Sequence, residues 1–187
     1  KENLELALTD RDRVLRDYGA EIVDQAGSFA HYYYNLLSLQ TATHPATTRL
    51  ISVGMLCASI VGMHWKLVFD APRPAQVWPG LFPVLPTPPH PSFPSNHATQ
   101  AATISLLLRA ALGAEDPEDG IGKHLTRLAQ RIAENRERAG VHFRADTEAG
   151  YALARLVTDR LLTSEAIGTL LAGCKAELAH LTEPFDG

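Results

Sequence analysis

Nine of the chain's twelve prolines fall between Pro72 and Pro94. Proline carries no amide proton, and its ring pushes the residue before it out of the helical region. Helix is therefore excluded across this stretch. A loop of such length inside a compact domain is usually functional or disordered. Trp78, Phe82 and Phe93 give it bulky apolar anchors, so it is expected to pack as the ordered wall of a site.

The segments on either side carry helical periodicity. Leu4 to Tyr18 reads as an amphipathic helix with a break or cap at Thr9-Asp10, and Glu21 to Leu39 as a second helix. Its Tyr32-Tyr33-Tyr34 cluster suits core and interface packing, compatible with a homo-oligomer. Ala46 to Phe69 forms a third helix, apolar on all sides at its centre and so expected to be buried. Its apolar run, Leu50 to Trp65, is short of the roughly 20 residues a bilayer span needs. No transmembrane segment is expected. After the proline stretch come helices at Ser95 to Leu112, Ile121 to Ala139, Phe143 to Leu162 and Ser164 to Leu181. Gly113 and the acidic run Glu115 to Gly120 separate the first two. No segment alternates as a strand would. The fold class is all-α: a bundle of six to seven helices with one proline-rich excursion, on a length of 187 residues that suits a single domain spanning 1–187.

The formal net charge of -4 gives no global drive toward nucleic acid or acidic membranes, so any basic site is local. Cys57 and Cys174 lack metal-type spacing and read as buried thiols. The chain opens on Lys1 with no secretory leader. A leader already removed would make the protein periplasmic or secreted.

Polar residues gather at three junctions. Lys66 lies in the last turns of the third helix and Arg73 just past its end, where two cations could converge on one anion. They would equally suit a solvated helix end favoured by the dipole. At Pro94-Ser95-Asn96-His97 the proline stretch becomes helix, and a helix N-terminus presents free amides to an anion. Ser95 could cap that helix or bind an oxyanion, and His97 could protonate a leaving group. In the third group, His142 and Asp146 stand i,i+4, so a helix puts carboxylate and imidazole on one face. A carboxylate on one ring nitrogen frees the other to attack or to ligate. Arg136 precedes the turn at Gly140. A surface helix with solvated arginines would share that pattern.

The order and spacing of these groups resemble the superfamily of type-2 phosphatidic-acid phosphatases, bacterial class A acid phosphatases and vanadium haloperoxidases. Lys66, six residues and Arg73-Pro74 match the first block of its signature. Pro94-Ser95-Asn96-His97 matches Pro-Ser-Gly-His, and Asn135-Arg136, His142 and Asp146 match Ser-Arg, His and Asp in register. Asn96 stands where the family has glycine, and its side chain is expected to crowd the anion. Asn135 stands where the family has serine.

The resemblance implies a helical bundle and two chemistries. In a phosphatase His142 would form a phosphohistidine, Asp146 would orient it, and His97 would act as general acid, with no cofactor. In a haloperoxidase His142 would ligate vanadium and vanadate would be the cofactor. Lys66, Arg73, Ser95, Asn96 and Arg136 would hold the oxygens in either. Thr87 to Ser95, Ala98-Thr99-Gln100 and Trp65 look like the haloperoxidases, while the short length looks like the acid phosphatases. The expectation is a metal-independent phosphomonoester hydrolase acting on a small phosphate ester. Haloperoxidase is the alternative, and a non-catalytic phosphate-binding module a third. A metal hydrolase would need clustered ligands. His31, His44, His64, His124 and His180 have no partners at such spacing and read as structural, with His90 a loop contact to the site.

Overall fold

The computed structural model describes residues 11–78 and 80–181. These fold into helices alone: α1 (Arg11–Asp24), α2 (Ala30–Leu36), α3 (Pro45–Phe69), α4 (Pro74–Val77), α5 (Asn96–Leu112), α6 (Gly120–Arg138), α7 (Arg144–Leu162) and α8 (Glu165–Glu177), with a 3₁₀ turn at Ala179–Leu181. No strand occurs among the described residues, and the class is all-α.

Helix α5 is the axis of the bundle. Ala98, Ala101, Ile104, Leu107, Leu108 and Ala111 along it are buried, and α3, α6, α7 and α8 all pack on it. Small residues let the neighbours come close. A β-carbon at Gly150 of α7 would lie 2.8 Å from both the Ala98 side chain and the Ser95 carbonyl, so only glycine fits. That approach sets the start of α7 beside the start of α5, where the Ser95 amide donates to the Asp146 carbonyl at 2.9 Å. Tyr33 of α2 closes the other side, donating from its buried hydroxyl to the Ala101 carbonyl at 2.9 Å. Tyr32 and Tyr34 pack half-buried against the same core.

Several expectations are corrected. The first two helices divide differently. Helix α1 begins at Arg11 and runs past Tyr18 to Asp24, and α2 starts only at Ala30. Gly27-Ser28 offers little to continue a helix, and two carbonyls at the end of α1 are taken by the site. Leu4 to Asp10, with the break at Thr9-Asp10, lies outside the described residues. Helix α3 falls where expected but is not buried all round. The segment Pro45–Val77 that contains it is long and apolar enough to cross a membrane by length and composition alone. Leu50, Ile51, Gly54, Ala58 and Gly62 face the bundle, whereas Leu56 and Ile60 are 61% and 62% exposed. Among the described residues, neighbours pack on one side of the helix. Of the two thiols, Cys174 is buried but Cys57 is partly exposed.

The proline stretch does contain a helical turn. In α4, Pro74 occupies the first position, where its missing amide costs nothing, and the Gln76 side chain accepts from the Arg73 amide at 2.6 Å. Elsewhere the stretch is pinned by main-chain bonds. The Ser92 amide donates to the Ala71 carbonyl at 2.8 Å, and the Val84 amide to the Ala139 carbonyl at 2.9 Å. Phe93 packs edge-on to Phe69, 5.0 Å between centroids. Trp78 and Phe82, expected as packing anchors, are 48% and 69% exposed instead.

Candidate active site

A cavity of about 250 Å³ opens between the proline stretch, the N-terminal turn of α5 and the α6–α7 connection. Leu85, Pro86, Pro88 and His90 form its wall, and Arg73, Asn96, His97, Arg136 and His142 reach it. Lys66 and Ser95 are buried but do not line it.

His142 and Asp146 are both buried, and the i,i+4 spacing brings His142 Nδ1 within 2.9 Å of Asp146 Oδ2. The same oxygen accepts from the Ser92 hydroxyl at 2.5 Å and from the Phe143 amide at 3.0 Å. Burial alone would raise the carboxyl, but the bonds from His142 and Ser92 outweigh it and hold it below its ordinary range. On the other side of the ring, Arg73 Nη1 lies 3.1 Å from His142 Nε2. Guanidinium can only donate. His142 Nε2 therefore accepts, and the proton sits on Nδ1 facing the carboxylate. Burial, reinforced by the charges of Arg73 and Lys66, holds His142 well below its ordinary value against the pull of Asp146. The ring is neutral at pH 7, with a lone pair at Nε2.

Three cations are buried in or behind this cavity, none in an ion pair among the described residues: Lys66, Arg73 and Arg136, each at most 2% exposed, with the Asp146 carboxylate acting on the first two. Arg73 bonds the His90 and Val141 carbonyls at 3.1 and 2.7 Å, and its Nη2 lies 3.0 Å from His90 Nδ1. Lys66 Nζ donates to the Pro91 and Ser92 carbonyls at 2.8 and 2.7 Å, bracing the wall from behind. Burial, aided by the Arg73 charge, pushes Lys66 down to about 7, and burial pushes Arg73 and Arg136 to about 10. Arg136 donates from Nη2 to the Ile22 carbonyl at 2.8 Å, while its buried Nε has no partner. A buried unpaired donor on a cation is costly unless an acceptor arrives.

His97 lies one residue into α5, its ring 5.4 Å from that of Phe29. Its Nε2 is 3.0 Å from the Gln25 main-chain carbonyl. A carbonyl only accepts, so Nε2 carries the proton and Nδ1 would take up a second. Burial, then the charge of Arg136, lowers His97 to about 4. Ser95 is the helix cap, its hydroxyl accepting from the Ala98 amide at 3.4 Å. The first-turn amides of Asn96 and His97 have no intrahelical acceptor by the geometry of any helix start.

Sequence reasoning overlooked three contributors. Ser92 is a serine among prolines, and its partner Asp146 is 54 positions away. Gln25, fully buried, receives the Asn135 amide at 3.0 Å and bonds Glu21 at 2.8 Å, holding the end of α1 whose carbonyls serve Arg136 and His97. Gly62 of α3 faces Asn96: a β-carbon there would lie 1.9 Å from Asn96 Oδ1. The asparagine oxygen is folded against α3, while the side chain still lines the cavity. None of the three was singled out by the sequence; the nearest signal was Asn135, the partner of Gln25, which stands beside Arg136 in the third motif block.

A neutral histidine fixed by a carboxylate, beside buried cations and a helix start, sits at the centre of an all-α bundle. The chain belongs to the PAP2 superfamily, whose family model matches residues 48–164. It is also 33% identical over 102 residues to a vanadium-dependent bromoperoxidase from Ascophyllum nodosum, an alignment covering 42% of this chain and 18% of that protein.

Proposed function

We propose that the cavity binds a phosphomonoester and hydrolyses it through His142 without a metal. The observation that supports this reading is the His142 Nε2 lone pair, held by Asp146 at a cavity bordered by the buried Arg73 and Arg136, neither of them in an ion pair among the described residues. Charge-assisted hydrogen bonds are worth roughly 1.5–3 kcal/mol each. Arg73, Arg136 and the first amides of α5 together hold a dianion. Arg73, which bonds Nε2 in the free protein, shifts onto the phosphoryl oxygens. His142 Nε2 then attacks phosphorus, the bond to the ester oxygen breaks, and the leaving alkoxide takes a proton from His97. Water then attacks the phosphohistidine, giving a proton to the now neutral His97, and the P–N bond breaks to release phosphate and restore both histidines. His97 is neutral in the free protein at pH 7, so the negative charge of the bound substrate is what makes it an acid.

A second reading, vanadium-dependent haloperoxidase, is favoured by the resemblance to the bromoperoxidase. The residues fit vanadate for the same reasons they fit phosphate, above all the unpaired Arg136 Nε. Arg73, Arg136 and the α5 amides would hold its oxygens and His142 Nε2 would be its protein ligand. Bound vanadate supplies activation of peroxide for halide oxidation. Here the chain's own part is to keep His142 neutral and Asp146 charged.

Purified protein incubated briefly with a labelled phosphomonoester is expected to carry an acid-labile, base-stable label, and turnover is expected to survive EDTA. Bromide oxidation by peroxide appearing only after vanadate is added, with no label, would move the assignment to the haloperoxidase. Anion binding without either activity would leave a phosphate-binding module.

A further inference from the structure

From the contact between Asn96 and Gly62 we infer that the Asn96 side-chain amide is an additional donor to the bound oxyanion, supplementing the main-chain amides of the α5 start. This rests on the oxyanion reading above and goes beyond it to a specificity-determining side chain.

The carboxamide has two ends with opposite hydrogen-bonding roles. Its oxygen is buried without a partner, in the space a β-carbon at position 62 would need. From that β-carbon position, Oδ1 is 1.9 Å away, Cγ 3.0 Å and Nδ2 3.7 Å. The nitrogen is thus the end turned farthest from α3. Oxygen is also the end suited to a glycine Cα, whose hydrogens donate weakly to it; an amide nitrogen there would meet hydrogen with hydrogen. Asn96 lines the cavity together with Arg73, Arg136 and His142. With its oxygen committed to α3, what it offers the cavity is N–H. Gly62 therefore sets the side chain's direction, and its missing β-carbon is what makes an asparagine at this position useful instead of obstructive. A neutral donor adds a hydrogen bond without adding charge, so it favours ligands with a further oxygen near the α5 start.

The test uses vanadate and inorganic phosphate as probes, with affinity read by calorimetry on the intact protein. Asn96→Gly is expected to weaken both roughly tenfold, the loss of one hydrogen bond to a charged group. Asn96→Asp keeps the shape, and an acid suits a helix start. It is expected to weaken binding further, because a carboxylate now faces the anion. Gly62→Ala drives the side chain off α3 and should match or exceed the Asn96→Gly loss. Circular dichroism checks that each variant folds. Unchanged or tighter binding in Asn96→Gly, with Asn96→Asp no weaker than Asn96→Gly, overturns the inference while leaving the oxyanion site standing. Wild-type protein that binds neither anion overturns the site reading and this inference together.

Discussion

The clearest physical consequence of this site is that an anion should stabilise the protein, and that pH should control by how much. The perturbation is sulfate, which stays a dianion across the useful range. Lys66 has an ordinary value of 10.5 and sits at about 7 in the folded free protein. A depressed folded value means that its contribution to stability is fully present above 10.5 and is lost as pH falls toward 7. Between those limits the unfolded chain holds a proton that the folded one lacks, so free-protein stability rises with pH by about 1.4 kcal/mol per unit. A bound dianion restores the charge on Lys66 and removes that penalty. At pH 6.5 Lys66 is already mostly protonated, and sulfate at a hundred times its Kd adds about 2.7 kcal/mol. At about 2–4 °C per kcal/mol for a chain of this size, Tm rises by about 5–11 °C. At pH 9 protonating Lys66 costs about 2.7 kcal/mol, which weakens binding about a hundredfold. The same sulfate concentration then only equals Kd, and the gain falls to about 0.4 kcal/mol. Thermal denaturation in matched ionic strength, sulfate against chloride, measures both numbers. Lys66→Met should flatten the difference between the two pH values. Equal shifts at pH 6.5 and pH 9 in wild type would refute the reasoning, as would no shift at either.

His142→Ala should abolish phosphatase and haloperoxidase turnover alike while circular dichroism stays unchanged, since the attacking or ligating nitrogen is gone. Asp146→Asn turns three charge-assisted hydrogen bonds into neutral ones and should cost about 2–4 kcal/mol in denaturant unfolding; it should still bind phosphate yet react slowly. His97→Ala should slow alkyl phosphates by roughly 10²–10⁴-fold but spare nitrophenyl phosphate, whose leaving group needs little protonation; equal losses on both substrates would remove His97 from the acid's role. Gln25→Ala strands the Asn135 amide and should cost about 1–3 kcal/mol in denaturant unfolding.

The helices after the proline stretch were legible because their apolar spacing is regular and their ends are punctuated. Asn96–Leu112 opens on a capping serine and stops at Gly113, which takes φ +65°. The His142–Asp146 pair was legible from its spacing, though not as two side chains on one helix face: His142 lies just before α7, and Asp146 in the first turn reaches back to it at 2.9 Å. What could not be read were facts about neighbours distant in sequence. An apolar centre gave no sign that the described residues would cover α3 on one side and leave Leu56 and Ile60 exposed. The end of α1 is set by Ile22 and Gln25 carbonyls that bond Arg136 and His97, 114 and 72 positions away. Lys66 was placed correctly at a helix end, but its side chain points at the Pro91 and Ser92 carbonyls, a choice decided by where the loop returns.

The fit of Asn96 against Gly62 also constrains the order in which such a site can change. A β-carbon at 62 would lie 1.9 Å from the Asn96 oxygen and collide with it; with glycine at both, a gap is left beside α3. The two positions are therefore epistatic, and their double-mutant cycle should depart from additivity as only touching residues do. A lineage acquiring this side chain needed the glycine on α3 first, or at the same step. Reverting position 96 alone to glycine rebuilds the family's motif without rebuilding the packing the motif belongs to. Engineering that transplants the Pro-Ser-Asn-His block into a relative must carry position 62 with it.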